Sequence, residues 1–414
     1  MADITQTTLS SGLRVAIEPD HTVPIVGVAL SYDVGSRVES PGEAGFAHLF
    51  EHMMFQGSEH VARDQFVAAI TGHGGSVNGS TGVERTTFYH SVPAHQWRLG
   101  LWMEADRMRS LALNEQTFES QRRAVLAEYL ERVEQAPYGQ AHGLITQLSY
   151  TGFGYGHPVI GTREDLEGAV LADVQTFHQR WYVPDNAVLA VAGDVEPAAV
   201  LDLVEDLFGG LRPGADRRLP VFDEPQRMRR KVCAVEGPNA ELPAVFVNAP
   251  AVPYGHPDFF VYEVLETMLF RGPSSRLQRA LVADTGAAVS IKGGYEAHRG
   301  PSLFSLFAVL PGGSSAEPLV AQYEAELERL ATERVTEEEL EKVRNQLRSM
   351  RVFARQGILN RANILARSVL IQNDSDFENR YLKQVAQVGT DDLLRVAQRD
   401  FDPNAVVVLE VRPQ

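Results

Sequence analysis

Glu51-His52-Met53-Met54-Phe55-Gln56-Gly57 in the first half of the chain returns in the second as Glu266-Thr267-Met268-Leu269-Phe270-Arg271-Gly272. Each copy is an apolar segment of helical character that stops at a glycine. Two amphipathic helices can match by chance, but the elements around them recur in the same order. A long charged helix is expected over Glu115–Arg132 and another over Glu337–Val352. A short apolar strand, Ala187–Ala192, finds its counterpart in Ala405–Val411. This order of elements predicts a duplicated chain.

Between the copies, Gly209, Gly210, Pro213, Gly214, Pro220 and Pro225 crowd together with Arg and Asp residues. Such a stretch favours neither helix nor strand, so it predicts a linker. The expected organisation is a first half over 1–212, a linker over 213–229 and a second half over 230–414. Within the first half, Thr7–Glu18 and Val23–Val34 read as strands, the former alternating around Leu9, Leu13, Val15 and Ile17. Ser40–Gly45 reads as a turn-rich loop, Phe46–Phe55 as a helix and Thr86–Val92 as a strand. Asn114–Val133, Asp173–Trp181 and Pro197–Phe208 read as helices, with Asn114 and Glu115 marking the start of the first.

The bulk numbers exclude several classes. With 414 residues, the chain has core enough for two or three domains. The net charge of −16 argues against a nucleic-acid binder and suits cationic peptides as ligands. Cys233 is the one cysteine, so neither an intrachain disulfide nor a thiolate metal cluster can form. No run of about 18 apolar residues predicts a membrane span. The N-terminus has no basic region followed by an apolar one, which leaves a cytoplasmic or periplasmic location as the expectation.

Chemistry concentrates in His48-Leu49-Phe50-Glu51-His52. On a helix, residues i and i+4 lie one turn apart on one face, so both imidazoles can reach one cation. Zinc accepts imidazole nitrogen and favours four ligands. Glu51 lies on nearly the same face, where a general base could take a proton from water held by the metal. The pattern is the inverted form of the commoner H-E-x-x-H motif, as in inverzincins. The apolar flanks Phe46, Ala47, Leu49, Phe50, Met53, Met54 and Phe55 draw this helix into a core, and buried polar groups need partners. A third ligand is required. Glu128, on the second long helix, is the best placed, although an exposed helix carboxylate has the same local pattern. In the second copy the places of His48 and His52 are held by Glu263 and Thr267, so the expectation is one zinc ion per chain, in the first half.

Longer blocks carry a resemblance. Val34-Gly35-Ser36-Arg37-Val38-Glu39, Gly45 through Ser58, Asn78-Gly79-Ser80-Thr81 with Thr86 and Tyr89, Val125–Glu128, His157-Pro158 through Gly161-Thr162, and Trp181 through Asp194 together resemble the pitrilysin, insulinase and mitochondrial processing peptidase family, in its short bacterial-type branch. The resemblance covers essentially the whole chain. It implies an α+β fold of two homologous halves, each a mostly antiparallel sheet with helices packed on one face. It implies that His48, His52 and Glu128 hold zinc and that Glu51 is the catalytic base. Val77, Asn78, Gly79 and Ser80, with Phe55, match the substrate-binding set, in which an edge strand takes up an extended peptide.

Two departures from the family pattern stand out, at Gln121 and at the pair Val282 and Val289. Family members usually carry a glutamate two turns before the third ligand, and here that supporting position is Gln121. The arginine and tyrosine that hold the substrate carbonyl and oxyanion are replaced by Val282 and Val289, unless Arg276 with Tyr295 serves instead. Neither valine has a side chain that can donate a hydrogen bond, and oxyanion stabilisation is usually a large term. The expectation is a metalloendopeptidase of peptides or unfolded segments, working as the zinc-bearing subunit of a heterodimer. Its homologous partner would lack the zinc motif and supply the Arg/Tyr pair. The rival expectations are a non-catalytic structural or chaperone-like subunit of a larger complex, and a zinc hydrolase of non-peptide substrates.

Overall fold

Gly12, with φ +85°, splits the first apolar stretch. Gly12 N–H donates to the Leu9 carbonyl and Leu9 N–H to the Leu13 carbonyl, so the chain doubles back as a hairpin of β1 (Thr5–Thr8) and β2 (Arg14–Pro19). The computed structural model describes residues 4–214 and 228–414. Of the expected linker over 213–229, residues 215–227 lie outside the described residues.

The remaining strands of the first half are β3 (Ile25–Tyr32), β4 (Ser76–Thr81), β5 (Thr86–Pro93) and β6 (Ala187–Gly193). They join the hairpin in one six-stranded sheet of order β1-β2-β6-β3-β5-β4. The second half supplies β7 (Lys231–Gly237), β8 (Ala244–Ala251), β9 (Ser290–Glu296), β10 (Ser302–Val309) and β11 (Val407–Pro413). Their order is β7-β11-β8-β10-β9. Set β1 aside and the two orders correspond strand for strand. Each sheet has one parallel pair in the same place, β2 with β6 and β7 with β11, and is otherwise antiparallel. The halves are homologous and the fold is α+β. The motif segment forms its helix over Phe46–Met53, and its counterpart forms one over Phe259–Phe270.

Side-chain alternation gives the first sheet two apolar faces. Val15, Ile17, Val28, Leu30, Leu189 and Val191 meet Phe46, Phe50 and Phe177 on one face. On the other lie Ala16, Ala29, Val188, Ala190 and Ala192. Sequence reading placed helices on one face only. The alanine face is in fact covered by the helix Ile358–Gln372, through Ala362, Leu365, Ala366 and Val369. Small side chains let that helix come close. At Gly27 a Cβ would lie 2.8 Å from the Cα of Leu359. Leaving such a surface in water would cost about 25 cal/mol per Å².

The exchange is reciprocal. The helix Gly139–Ser149 packs Ala141 and Ile145 on Ala244, Phe246, Val407 and Leu409 of the second sheet. Among the described residues, one compact unit comprises those up to Tyr129, those from His157 to Gly214, and Val352–Glu378. The other comprises Leu130–Gly156, the residues from Met228 to Arg351, and Asn379–Gln414. Each sheet thus borrows a helix from the other half of the sequence. No described helix is long and apolar enough to cross a membrane.

Candidate metal centre

The motif helix Phe46–Met53 buries Phe46, Ala47, Leu49, Phe50 and Met53. Phe50 stacks on Phe177 and His178, with ring centroids 5.8 and 5.6 Å apart. That apolar anchoring turns His48, Glu51 and His52 to one side. The second long helix runs over Glu115–Tyr129. Asn114 caps it, its Oδ1 accepting from Thr117 N–H at 3.1 Å while Thr117 Oγ1 accepts from Asn114 N–H at 3.2 Å. Beyond Tyr129 the expected helix continues as a π-type turn, Leu130–Glu134. Its buried face carries Phe118, Gln121 and Val125. One further turn along that face comes Glu128.

His48, His52 and Glu128 converge. Each offers a ligand atom, and these atoms lie within 4.8 Å of one another. Glu128 Oε2 is 3.3 Å from His52 Nε2, and Oε1 is 3.7 Å from His48 Nε2. Ligands about 2.0–2.1 Å from a tetrahedral ion are spaced by about 3.3 Å, so the residues present fit zinc. No other such group of three occurs among the described residues.

In the second unit the corresponding helix has closed this space. The Glu263 carboxylate, at the place of His48, accepts from the Tyr381 hydroxyl and pairs with Arg351 at 3.2 Å. The Arg351 guanidinium lies 3.7 Å from the centre of the Tyr381 ring. Thr267, at the place of His52, turns its hydroxyl back to the Glu263 carbonyl at 3.0 Å. An ion pair with an aromatic lid stands where the first unit has its ligand cluster.

Among the described residues β4 is the edge of the first sheet, paired only with β5. Its side chains alternate: Asn78 and Ser80 are exposed, whereas Val77 and Gly79 face inward. Gly79 lies directly over Glu51. A Cβ there would sit 3.1 Å from Glu51 Cγ and 3.4 Å from Phe55. Asn78 Oδ1 accepts from Gly79 N–H at 2.9 Å. The five expected substrate residues and Glu51 are therefore neighbours. Beneath Phe55 lies a feature that sequence reading missed. The buried Arg107 guanidinium lies 4.5, 4.6 and 5.6 Å from the rings of Phe88, Phe66 and Phe55. Its Nε donates to Glu104 Oε2 at 2.8 Å. Burial pushes the Glu104 carboxyl up, but Arg107 and His90 outweigh it and hold it below the usual range. Nothing local marks Glu104 and Arg107 as buried, because charged residues three apart usually lie on a solvated helix face.

Val282 lies in a π-type turn over Gln278–Asp284, and Val289 is exposed just ahead of β9. Arg276 donates to both carboxylate oxygens of Glu339, at 2.9 and 2.7 Å. The Tyr295 hydroxyl donates to the Val252 carbonyl at 2.5 Å. Both members of the alternative pair are thus engaged within their own unit.

Two homologous sheet-and-helix units, with one His/His/Glu cluster among the described residues between the motif helix and the second long helix, describe a recognisable class of chain. The family description "Insulinase (Peptidase family M16)" matches residues 14–163, and "Peptidase M16 inactive domain" matches 169–347. The chain belongs to peptidase family M16, the insulinase family. It is 28% identical to the zinc protease PqqE of Helicobacter pylori, over 98% of this chain and 92% of that one. It is 26% identical to the uncharacterized zinc protease YmxG of Bacillus subtilis, over 82% of each. The crystal structure of a protease from Helicobacter pylori superimposes with a TM-score of 0.95 at 26% identity, each chain fully covered. A Pseudomonas fluorescens structure described as a peptidase M16 inactive domain gives 0.89 at 15% identity, over all of this chain and 98% of that one, and shares the fold.

Proposed function

We propose that this chain is a zinc metalloendopeptidase of peptides or unfolded segments and the zinc-bearing subunit of a heterodimer. The observation that carries the proposal is the meeting of His48, His52 and Glu128 beside Glu51, under a free sheet edge. Zinc bound there would supply a Lewis acid and lower the pKa of a water molecule to roughly 7. His48 and His52 offer neutral imidazole nitrogens and Glu128 a carboxylate oxygen. Glu51 takes the proton from the attacking water and passes it to the leaving amine. β4 takes up the substrate backbone as an added strand, which demands an extended chain and excludes folded proteins. Gly79 leaves room for Glu51 beneath that strand. Gln121 keeps the hydrogen-bonding capacity of the usual glutamate without its charge.

The partner reading is supported by Val282 and Val289 and by the engagement of Arg276 and Tyr295. Removing an oxyanion donor typically costs about 10²–10³ in rate. A homologous subunit that carries the Arg/Tyr pair but lacks the zinc motif would restore it. The test is to assay peptide cleavage by the pure chain and by its mixture with such a subunit. We expect the chain alone to be nearly inactive and the mixture active. Full activity of the single chain removes the partner, and an inactive, zinc-loaded mixture favours a structural subunit.

A further inference from the structure

The segment His157 to Thr162 belongs to the family resemblance but takes no part in the chemistry above. It lies against the start of the motif helix. Gly45 precedes that helix with φ +96°, a conformation that L side chains rarely adopt. A Cβ on Gly45 would sit 2.7 Å from the Ile160 carbonyl oxygen, and one on Gly161 2.2 Å from the Ala44 carbonyl oxygen. Backbone pressed on backbone leaves no room for a capping side chain at Gly45, and the helix has none of its own.

The cap comes from elsewhere. Glu39 Oε2 accepts from Gly45 N–H at 2.9 Å and Oε1 from Ala47 N–H at 2.8 Å. His157 Nε2 lies 2.7 Å from Oε2, and both side chains are buried, His157 at 5% and Glu39 at 0% exposure. Orphan N–H groups and the positive end of the helix dipole both favour an anion there. Burial pushes the Glu39 carboxyl above its usual range, and His157 and the two N–H groups oppose that push. The capped turn leads directly into His48.

We infer that Glu39 is a positioning residue for the metal, capping the motif helix so that His48 points at the ion, and that His157 holds Glu39 in that role. This inference rests on the zinc reading of the site. Groups that orient metal ligands typically account for about 10–100-fold in metal affinity.

The test uses the full chain stripped of metal, with zinc alone as the probe. Zinc affinity is read by competition with a chromophoric chelator, site geometry by the absorption of the cobalt(II) form, and folding by circular dichroism and Tm. Wild type should bind one zinc. Glu39→Gln and His157→Ala should bind about 10–100-fold more weakly and shift the cobalt bands. His157→Gln, which keeps an N–H donor facing Glu39, should recover most of the affinity. If Glu39→Gln and His157→Ala lose Tm but keep wild-type affinity and cobalt spectrum, the pair is merely structural and the inference falls alone. Should Glu39→Gln not fold, His157→Ala decides in the same way. A wild-type chain that binds no zinc overturns the proposed function and this inference together.

Discussion

At the scale of single residues, the proposed function divides labour between Glu51 and the His48, His52 and Glu128 cluster. Glu51 lies on nearly the same helix face as the histidines and is proposed as the base and not as a ligand, whereas Glu128 comes from another helix and completes the cluster. Replacement should separate the two roles. Glu51→Gln is expected to keep its zinc and lose about 10²–10⁴ in turnover, while Glu128→Gln should lose zinc on dialysis. Elemental analysis beside an activity assay distinguishes them, and a fully active Glu51→Gln ends the general-base assignment. His178 makes a different kind of prediction. It stacks on both Phe50 and Tyr182, and burial pushes its pKa down to about 4. The unfolded chain takes up that proton near pH 6.5 and the folded one near 4. The stability due to neutral His178 is therefore complete above about pH 6.5 and is lost as pH falls from there towards 4, in all about 3 kcal/mol. His178→Phe should flatten that part of the Tm–pH curve. An unchanged slope would place the acid sensitivity elsewhere.

Among the elements, β4 decides what kind of substrate can be read. Periodicity alone could place a strand there, but not say that it stands at the edge of the sheet. Being an edge is a property of sheet order, which is settled by residues far away in sequence. If substrate adds to that edge, backbone N–H and C=O groups carry the binding. A peptide N-methylated at alternate residues across the cleavage region should raise KM strongly against the unmodified peptide, with its side chains unchanged. Equal KM values would count against strand addition. Helix limits were more legible than strand limits. The helix expected over Pro197–Phe208 has those limits, but Thr7–Glu18 concealed a hairpin, because a single residue at positive φ reverses the chain without disturbing the apolar alternation on either side.

Over the whole molecule, duplication has led to specialisation. One unit keeps a ligand cluster, and the other fills the corresponding space with Glu263, Arg351 and Tyr381. Each sheet also depends on a helix from the other half of the sequence, so neither half of the chain is expected to fold with a covered sheet by itself. Gly27 tests the borrowed helix over the first sheet. Gly27→Ala puts a methyl 2.8 Å from Leu359 Cα and should lower stability by about 1–3 kcal/mol through overpacking, measurable by denaturant unfolding. A neutral result would mean the helix is free to shift.

The local chemistry was legible along the chain: two imidazoles and a carboxylate at spacings a helix turns to one side, a repeat of that helix without its ligands, and an ordering of elements that announced two related halves. These are short-range or repetitive patterns, and 3.6-residue periodicity is enough to interpret them. Even Glu128 stood apart from other helix glutamates only through its resemblance to a family. Tertiary structure decided the rest. It brought Glu128 to the histidines, set Gly79 over Glu51, exchanged helices between the sheets and linked Glu39 to His157 across 118 positions. Such contacts depend on which apolar faces must be buried against one another, and that is a property of the packed chain rather than of any window along it.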